Sequence, residues 1–319
     1  MRASLPADPR ARRIRLERGR AAVEIAPGVG GRIAALEVDG WDLVRRDGWT
    51  DNEWGVFVMA PWAGRLRDAR VAWGDRTWEV PANEPPHALH GLVAATPWNV
   101  ADQAARSVRL ETPLGPDWPT GGWLVHTITL APDRLIMRLD LHADREPTPA
   151  IMGWHPWFAR RARRVAAAVD PDAGRYRAWR QDEAARPDHE APAMPLAEQA
   201  LADLPTTGEV SIGIAARRRL ALDDAGLPTG ILLEPRPEPL DDVLLGLTAA
   251  PVVSWPHGPR LTLHASGVAA WIAYTAHPDG VCVEPVTGIP DGINGGLLGE
   301  PPIASPRSPL SATFEIAWS

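Results

Sequence analysis

Hydrophobic and polar positions alternate along most of this chain, and the clearest case lies between residues 135 and 142. Leu135, Met137, Leu139 and Leu141 fall on one face, and Ile136, Arg138, Asp140 and His142 on the other. A period of two is the mark of a β-strand with one buried face. Trp123–Leu130 predicts its partner, joined through the turn Ala131-Pro132-Asp133-Arg134. Val38-Asp39-Gly40-Trp41 predicts a tight hairpin, because Asp-Gly tolerates the positive φ of a primed turn. Val71 and Trp73 lead through Gly74-Asp75 to Trp78 and Val80, a second hairpin. Similar strands are expected at Val165–Val169, Val210–Ala215, Arg218–Leu222, Gly230–Leu233, Arg260–His264, Val268–Tyr274, Val281–Glu284 and Ala312–Trp318. Helical periodicity is confined to Leu196, Ala200, Leu201 and Leu204, which predict one short helix. No internal repeat of fixed period occurs.

Composition sharpens this to an all-β sandwich or barrel. With 34 Pro and 28 Gly, the chain is built for short strands and ordered loops. Its 319 residues give room for one large domain or two ordinary ones. The expected organisation is a mobile polar arm over residues 1–12 and a single domain over 13–319. The Pro-rich pieces Arg186–Pro195 and Glu300–Pro309 read as surface loops rather than linkers.

Charge and residue usage remove several function classes. A net charge of −7 with scattered arginines does not favour nucleic-acid binding. All 33 basic residues are arginine, so neither a lysine Schiff base nor a P-loop is available. No G-x-S-x-G elbow occurs. Gly28-Val29-Gly30-Gly31 runs into Arg32 and Ile33 and fails the dinucleotide pattern. The single Cys282 excludes an internal disulfide and a multi-cysteine metal site. No stretch has the length of a membrane span, and the first residues lack an apolar signal core. A cytoplasmic protein is expected, without membrane partners.

Five stretches carry candidate chemistry. In Gly153-Trp154-His155-Pro156-Trp157-Phe158, Pro156 biases His155 toward extended backbone, so His155 is expected at a strand end beside aromatic faces. Such an imidazole can act as an acid near neutral pH, or be a core histidine bonded to a carbonyl. Arg65 follows Gly64 beside Trp62 and could hold two hydroxyl oxygens, or stack on the surface. His87 and His90 follow Pro85-Pro86, so a loop is expected there, and without a third ligand at recognisable spacing no metal site is assigned. Asp241-Asp242 reads either as a solvated loop or as one carboxylate facing a pocket. In Val281-Cys282-Val283-Glu284-Pro285, Cys282 and Glu284 share a strand face, which Pro285 is expected to break. A glutamate there must be paired or used; the plain alternative is a structural salt bridge. The 15 Trp offer flat apolar faces that suit the C–H surfaces of sugars as well as any large core.

Taken in order, these stretches resemble the aldose 1-epimerase family, the galactose mutarotases. The family's markers are an arginine after Pro-Trp, a His-Gly, a second His before an aromatic, an Asp in a Leu-Asp segment and a Glu-Pro. They match Arg65, His90-Gly91, His155, Asp241 and Glu284-Pro285, and Pro290-Asp291-Gly292-Ile293-Asn294 resembles the segment that follows. The likeness runs from about Gly28 to the last strand. Gly64 stands where the family often has Asn, and Trp154-His155-Pro156-Trp157-Phe158 resembles a His-Pro-aromatic-Phe branch.

The resemblance implies a large antiparallel β-sandwich of the galactose mutarotase-like supersandwich kind, and interconversion of α and β anomers of a free hexose. It implies Glu284 as base, His155 as acid, His90 as a donor to the ring oxygen, and Arg65 and Asp241 as sugar ligands. Catalysis needs His155 protonated while Glu284 is ionised. No cofactor and no metal are implied; the partner is a small-molecule sugar, and the protein a monomer or homodimer. Three other readings stand beside this one. They are a hexose-6-phosphate 1-epimerase using Arg67 and Arg70, a non-catalytic carbohydrate-binding sandwich, and a metal-dependent hydrolase using His87, His90, His155 and Glu284.

Overall fold

The computed structural model describes residues 12–46, 48, 50–165, 206–295 and 298–319. The expected arm (but for Arg12), the loop Arg186–Pro195, the short helix and all but Val165 of the strand Val165–Val169 lie outside them. Val165 itself follows the strand Gly153–Arg164.

Two large sheets, of eleven and eight strands, make the body of the described residues, and their strands pair antiparallel. No α-helix occurs among these residues; short 3-10 turns stand at Arg67–Ala69 and Gly292–Asn294. The larger sheet runs Ile14–Arg18, Ala21–Ala26, Arg32–Val38, Trp41–Val44, Gly153–Arg164, Gly280–Val286, Ala270–Tyr274, Asp241–Leu247, Ala216–Leu222, Pro228–Leu233. Val56–Met59 joins it beside Gly153–Arg164. The smaller sheet holds the predicted hairpin, Trp123–Leu130 with Arg134–His142, next to Leu310–Trp318.

The alternation in that hairpin is the alternation of the core. Leu135, Met137, Leu139 and Leu141 are fully buried, while Arg138 is exposed. They belong to one apolar cluster with the inner-face aromatics of the larger sheet. Trp154 donates its indole N–H to His126 Nε2 (3.2 Å), and both Trp154 and Trp271 pack on Phe314. One apolar cluster thus joins residues from Ile14 to Trp318 across both sheets. The hairpins at Asp39-Gly40 and Gly74-Asp75 form as expected, Asp39 and Gly40 taking φ of 51° and 74°.

Three expectations change. Pro285 does not end its strand, which runs on to Val286. Asp241-Asp242 opens a strand rather than lying in a loop. His155 is the third residue of a twelve-residue strand that continues through Pro156. Both prolines lie on this one stretch of ladder, Pro156 opposite Val283 and Pro285 opposite Trp154. Gly153 pairs with Val286 and Trp157 with Cys282, while the ladder between them lacks the N–H groups of Pro156 and Pro285.

Candidate active site

Sheet register assembles the site. With Gly153 opposite Val286 and Trp157 opposite Cys282, His155 stands across from Glu284. On the other side of the same strand, His155 pairs with Phe57. One rung of the larger sheet therefore reads Phe57, His155, Glu284. The next rung on the same face reads Trp157, Cys282, Tyr274, Asp241. Trp154 and Phe158, on alternate positions, turn inward to the other sheet.

His155 Nε2 lies 3.3 Å from Glu284 Oε1, and the two residues are 6% and 2% exposed. Phe57 and Trp157 lie nearly parallel to the imidazole, at centroid distances of 4.7 and 5.4 Å. Each ring carries a guanidinium: Arg32 over Phe57 and Arg45 over Trp157. Glu284 Oε2 has no hydrogen-bond partner among the described residues. Burial pushes the Glu284 carboxyl well above its ordinary range, and the charge of Asp241 adds to this. Burial pushes the His155 imidazole well down, reinforced by His90 and Arg32. Both shifts favour a neutral imidazole beside a neutral carboxylic acid, the opposite of the charged pair expected from mutual attraction. The proton count is the same in either arrangement; only the place of one proton differs.

His90 stands edge-on to His155, with ring centroids 4.9 Å apart. Its backbone is left-handed (φ 58°), and its N–H donates to Gly64 O at 3.0 Å. Gly64 N–H donates in turn to His90 Nδ1 at 3.3 Å. That bond leaves the ring proton on Nε2, so His90 can donate to an oxygen in the site. Burial and the charge of Arg65 lower its pKa to about 3, which keeps it neutral. Gly91 then turns the chain where no side chain fits: a Cβ there would lie 2.0 Å from Ala60 O.

Arg65 is half-buried, and its guanidinium makes no hydrogen bond or ion pair among the described residues. Its place is set by the segment after the glutamate. Asp291 N–H donates to Arg65 O (2.8 Å), while Asn294 ties to the backbone of Ala72 and Arg70. Gly226 leaves room for the guanidinium, since a Cβ would sit 2.5 Å from Arg65 Nη1. Asp241 shares this region. Asp241 is exposed; partial desolvation and the charge of Asp242 raise its carboxyl, and Arg65 and Arg236 oppose the rise. Asp242 points the other way and is buried between Arg219 (3.2 Å) and Arg236 (2.8 Å). Of the two acids, Asp241 is the one beside the site.

Not every candidate converges. His87 Nδ1 accepts from Asp68 N–H (3.0 Å), apart from the histidine–glutamate rung. Arg67 and Arg70 are bound to Asp291 (3.3 Å) and Glu79 (3.1 Å). Two side chains of the site went unread in the sequence. Phe57 sits in the run Val56–Met59, buried on both faces and so without alternation. Arg32 is fully buried and donates to Val29 O, Trp54 O and Ala94 O at 3.0, 3.0 and 2.7 Å. Burial lowers it to about 9. Its one available signal was the preceding Gly30-Gly31; a Cβ on Gly30 would meet Ala94 O at 1.9 Å.

The model of the aldose 1-epimerase family matches residues 12–171. Among curated proteins none matches by sequence. Solved structures share the fold. A galactose mutarotase-like protein from Clostridium acetobutylicum is 15% identical, with TM-score 0.74 over 96% of this chain and 95% of its own. The Slr1438 protein of Synechocystis is 16% identical, with TM-score 0.70 over 100% and 99%. Galactose 1-epimerase from Lactobacillus acidophilus is also 16% identical, with TM-score 0.66 over 96% and 94%.

Proposed function

Because the chain belongs to the aldose 1-epimerase family, we propose that it interconverts the α and β anomers of an unphosphorylated aldose. The observation that carries the reading is the buried His155–Glu284 rung, two proton-carrying groups 3.3 Å apart on an open ladder segment. Anomerisation needs a base for the anomeric hydroxyl and an acid for the ring oxygen, held side by side.

In this reading the pair reacts from its charged arrangement, with one proton moved from Glu284 to His155: Glu284 takes the proton of the anomeric hydroxyl as His155 protonates the ring oxygen, and the C1–ring oxygen bond breaks to give the open aldehyde. Both protein groups become neutral in that step. Burial favours this neutral pair, so the site stabilises the opened state relative to the charged pair that precedes it. Rotation about the C1–C2 bond and reversal of both transfers close the ring on the other face. His90 donates its Nε2 proton to an oxygen as charge develops. Arg65 and Asp241, a cation and a carboxylate whose charges act on one another, hold hydroxyls and keep C1 in register. The engagement of Arg67 and Arg70 with carboxylates supports a free sugar over a sugar phosphate.

Polarimetry on freshly dissolved α-D-glucose and α-D-galactose tests this. Mutarotation should speed up with the protein and fall by at least ~10²-fold with Glu284→Gln. Binding of either sugar without acceleration would instead make this a binding protein.

A further inference from the structure

The rung that handles protons borders a third donor. Cys282 Sγ, one position along the same face as Glu284, is fully buried. His155, Cys282 and Glu284 each offer a ligand atom, and these atoms lie within 4.8 Å of one another. Imidazole, thiolate and carboxylate together make a donor set for a borderline-soft divalent cation. Ligands around a tetrahedral zinc stand roughly 3.5 Å apart, given bonds of about 2.0–2.3 Å. The three atoms need draw together by only about an ångström to reach that geometry. A further observation marks the spot: Glu284 Oε2 is buried with no hydrogen-bond partner among the described residues.

We propose that His155 Nε2, Cys282 Sγ and Glu284 form a binding site for Zn²⁺ or a similar thiophilic cation, and that occupancy shuts the site down. The inhibitory half of this rests on the function proposed above; the binding half does not. The cation takes the imidazole nitrogen and the carboxylate that would handle the sugar's protons, so metal and sugar exclude each other. On binding, the thiol and the carboxylic acid release their protons to solvent, and three metal–ligand bonds replace them. Arg45, whose charge acts on Cys282, opposes the cation, and Asp241, whose charge acts on Glu284, offsets it. His87 and His90 take no part, because their Nδ1 atoms accept backbone N–H groups.

Cobalt(II) is the probe, added to tag-free protein. One equivalent should bind with a sulfur-to-cobalt charge-transfer band in the near ultraviolet, and Zn²⁺ should displace it. Cys282→Ser should lose the band and bind Zn²⁺ at least ~10-fold more weakly, while far-ultraviolet circular dichroism shows it folded in the absence of metal. Zn²⁺ should slow mutarotation competitively with sugar, and a chelator should restore it. Equal zinc affinity in the parent and in Cys282→Ser, or cobalt binding without the band, overturns the site. A charge-transfer band in a protein that accelerates no aldose would leave the site standing and remove the epimerase reading instead.

Discussion

Glu284 combines burial, a histidine neighbour and an oxygen without a partner, a combination that carries a thermodynamic signature. Its carboxyl is held above the ordinary value of 4.5. The folded protein therefore binds more protons at this group than the unfolded chain does, and stability falls as pH rises above that value. Glu284→Gln removes the term. The variant should melt above the parent at pH 7, and the two should converge near pH 4, as followed by calorimetry. Equal melting temperatures at pH 7 would mean the carboxylate is not strained in the folded state. His155 acts in the opposite sense. Its lowered pKa makes the unfolded chain the better proton acceptor below 6.5, so this group withdraws stability as pH falls. The two groups thus withdraw stability in opposite directions of pH.

At the scale of the element, Gly91 is the most constrained link. It has φ of 80°, and its α-carbon approaches Ala60 O so closely that a methyl group would overlap it. Gly91→Ala should lower stability by more than ~2 kcal/mol, read from the urea midpoint, because it adds left-handed strain to a backbone clash. An unchanged midpoint would show that the turn after His90 can relax. Much of the element structure was legible in the sequence for simple reasons. Leu135 to His142 alternates because one face is core and the other is not, and Asp39-Gly40 turns because both residues accept positive φ. Val56–Met59 was not legible, since a strand buried on both faces has no alternation to read. Pro285 misled, because the strand pairs on through it, opposite Trp271, to Val286. The candidate residues themselves were legible as odd placements of His, Glu and Arg. Their meeting was not, because it depends on which strands are neighbours. Nor was the burial of Arg32, since arginines are seldom buried without a carboxylate.

At the scale of the whole molecule, one apolar cluster joins the two sheets, and the aromatic contacts between them run through Trp154, Trp255 and Trp271. The described residues should unfold as a unit. Tryptophan fluorescence, with 15 Trp as reporters, and far-ultraviolet circular dichroism should give coincident urea transitions. Two separated transitions would mean that the sheets have independent stability.

The strand order has a further consequence for how the protein comes into being. Gly153–Arg164 pairs with Val56–Met59 on one side and with Gly280–Val286 on the other. A chain emerging from the ribosome thus holds the histidine long before it holds its acidic neighbour. Contacts of such sequence separation form late, after the entropy of closing long loops has been overcome. An amino-terminal fragment that stops before Gly280 lacks the acidic member of the pair altogether.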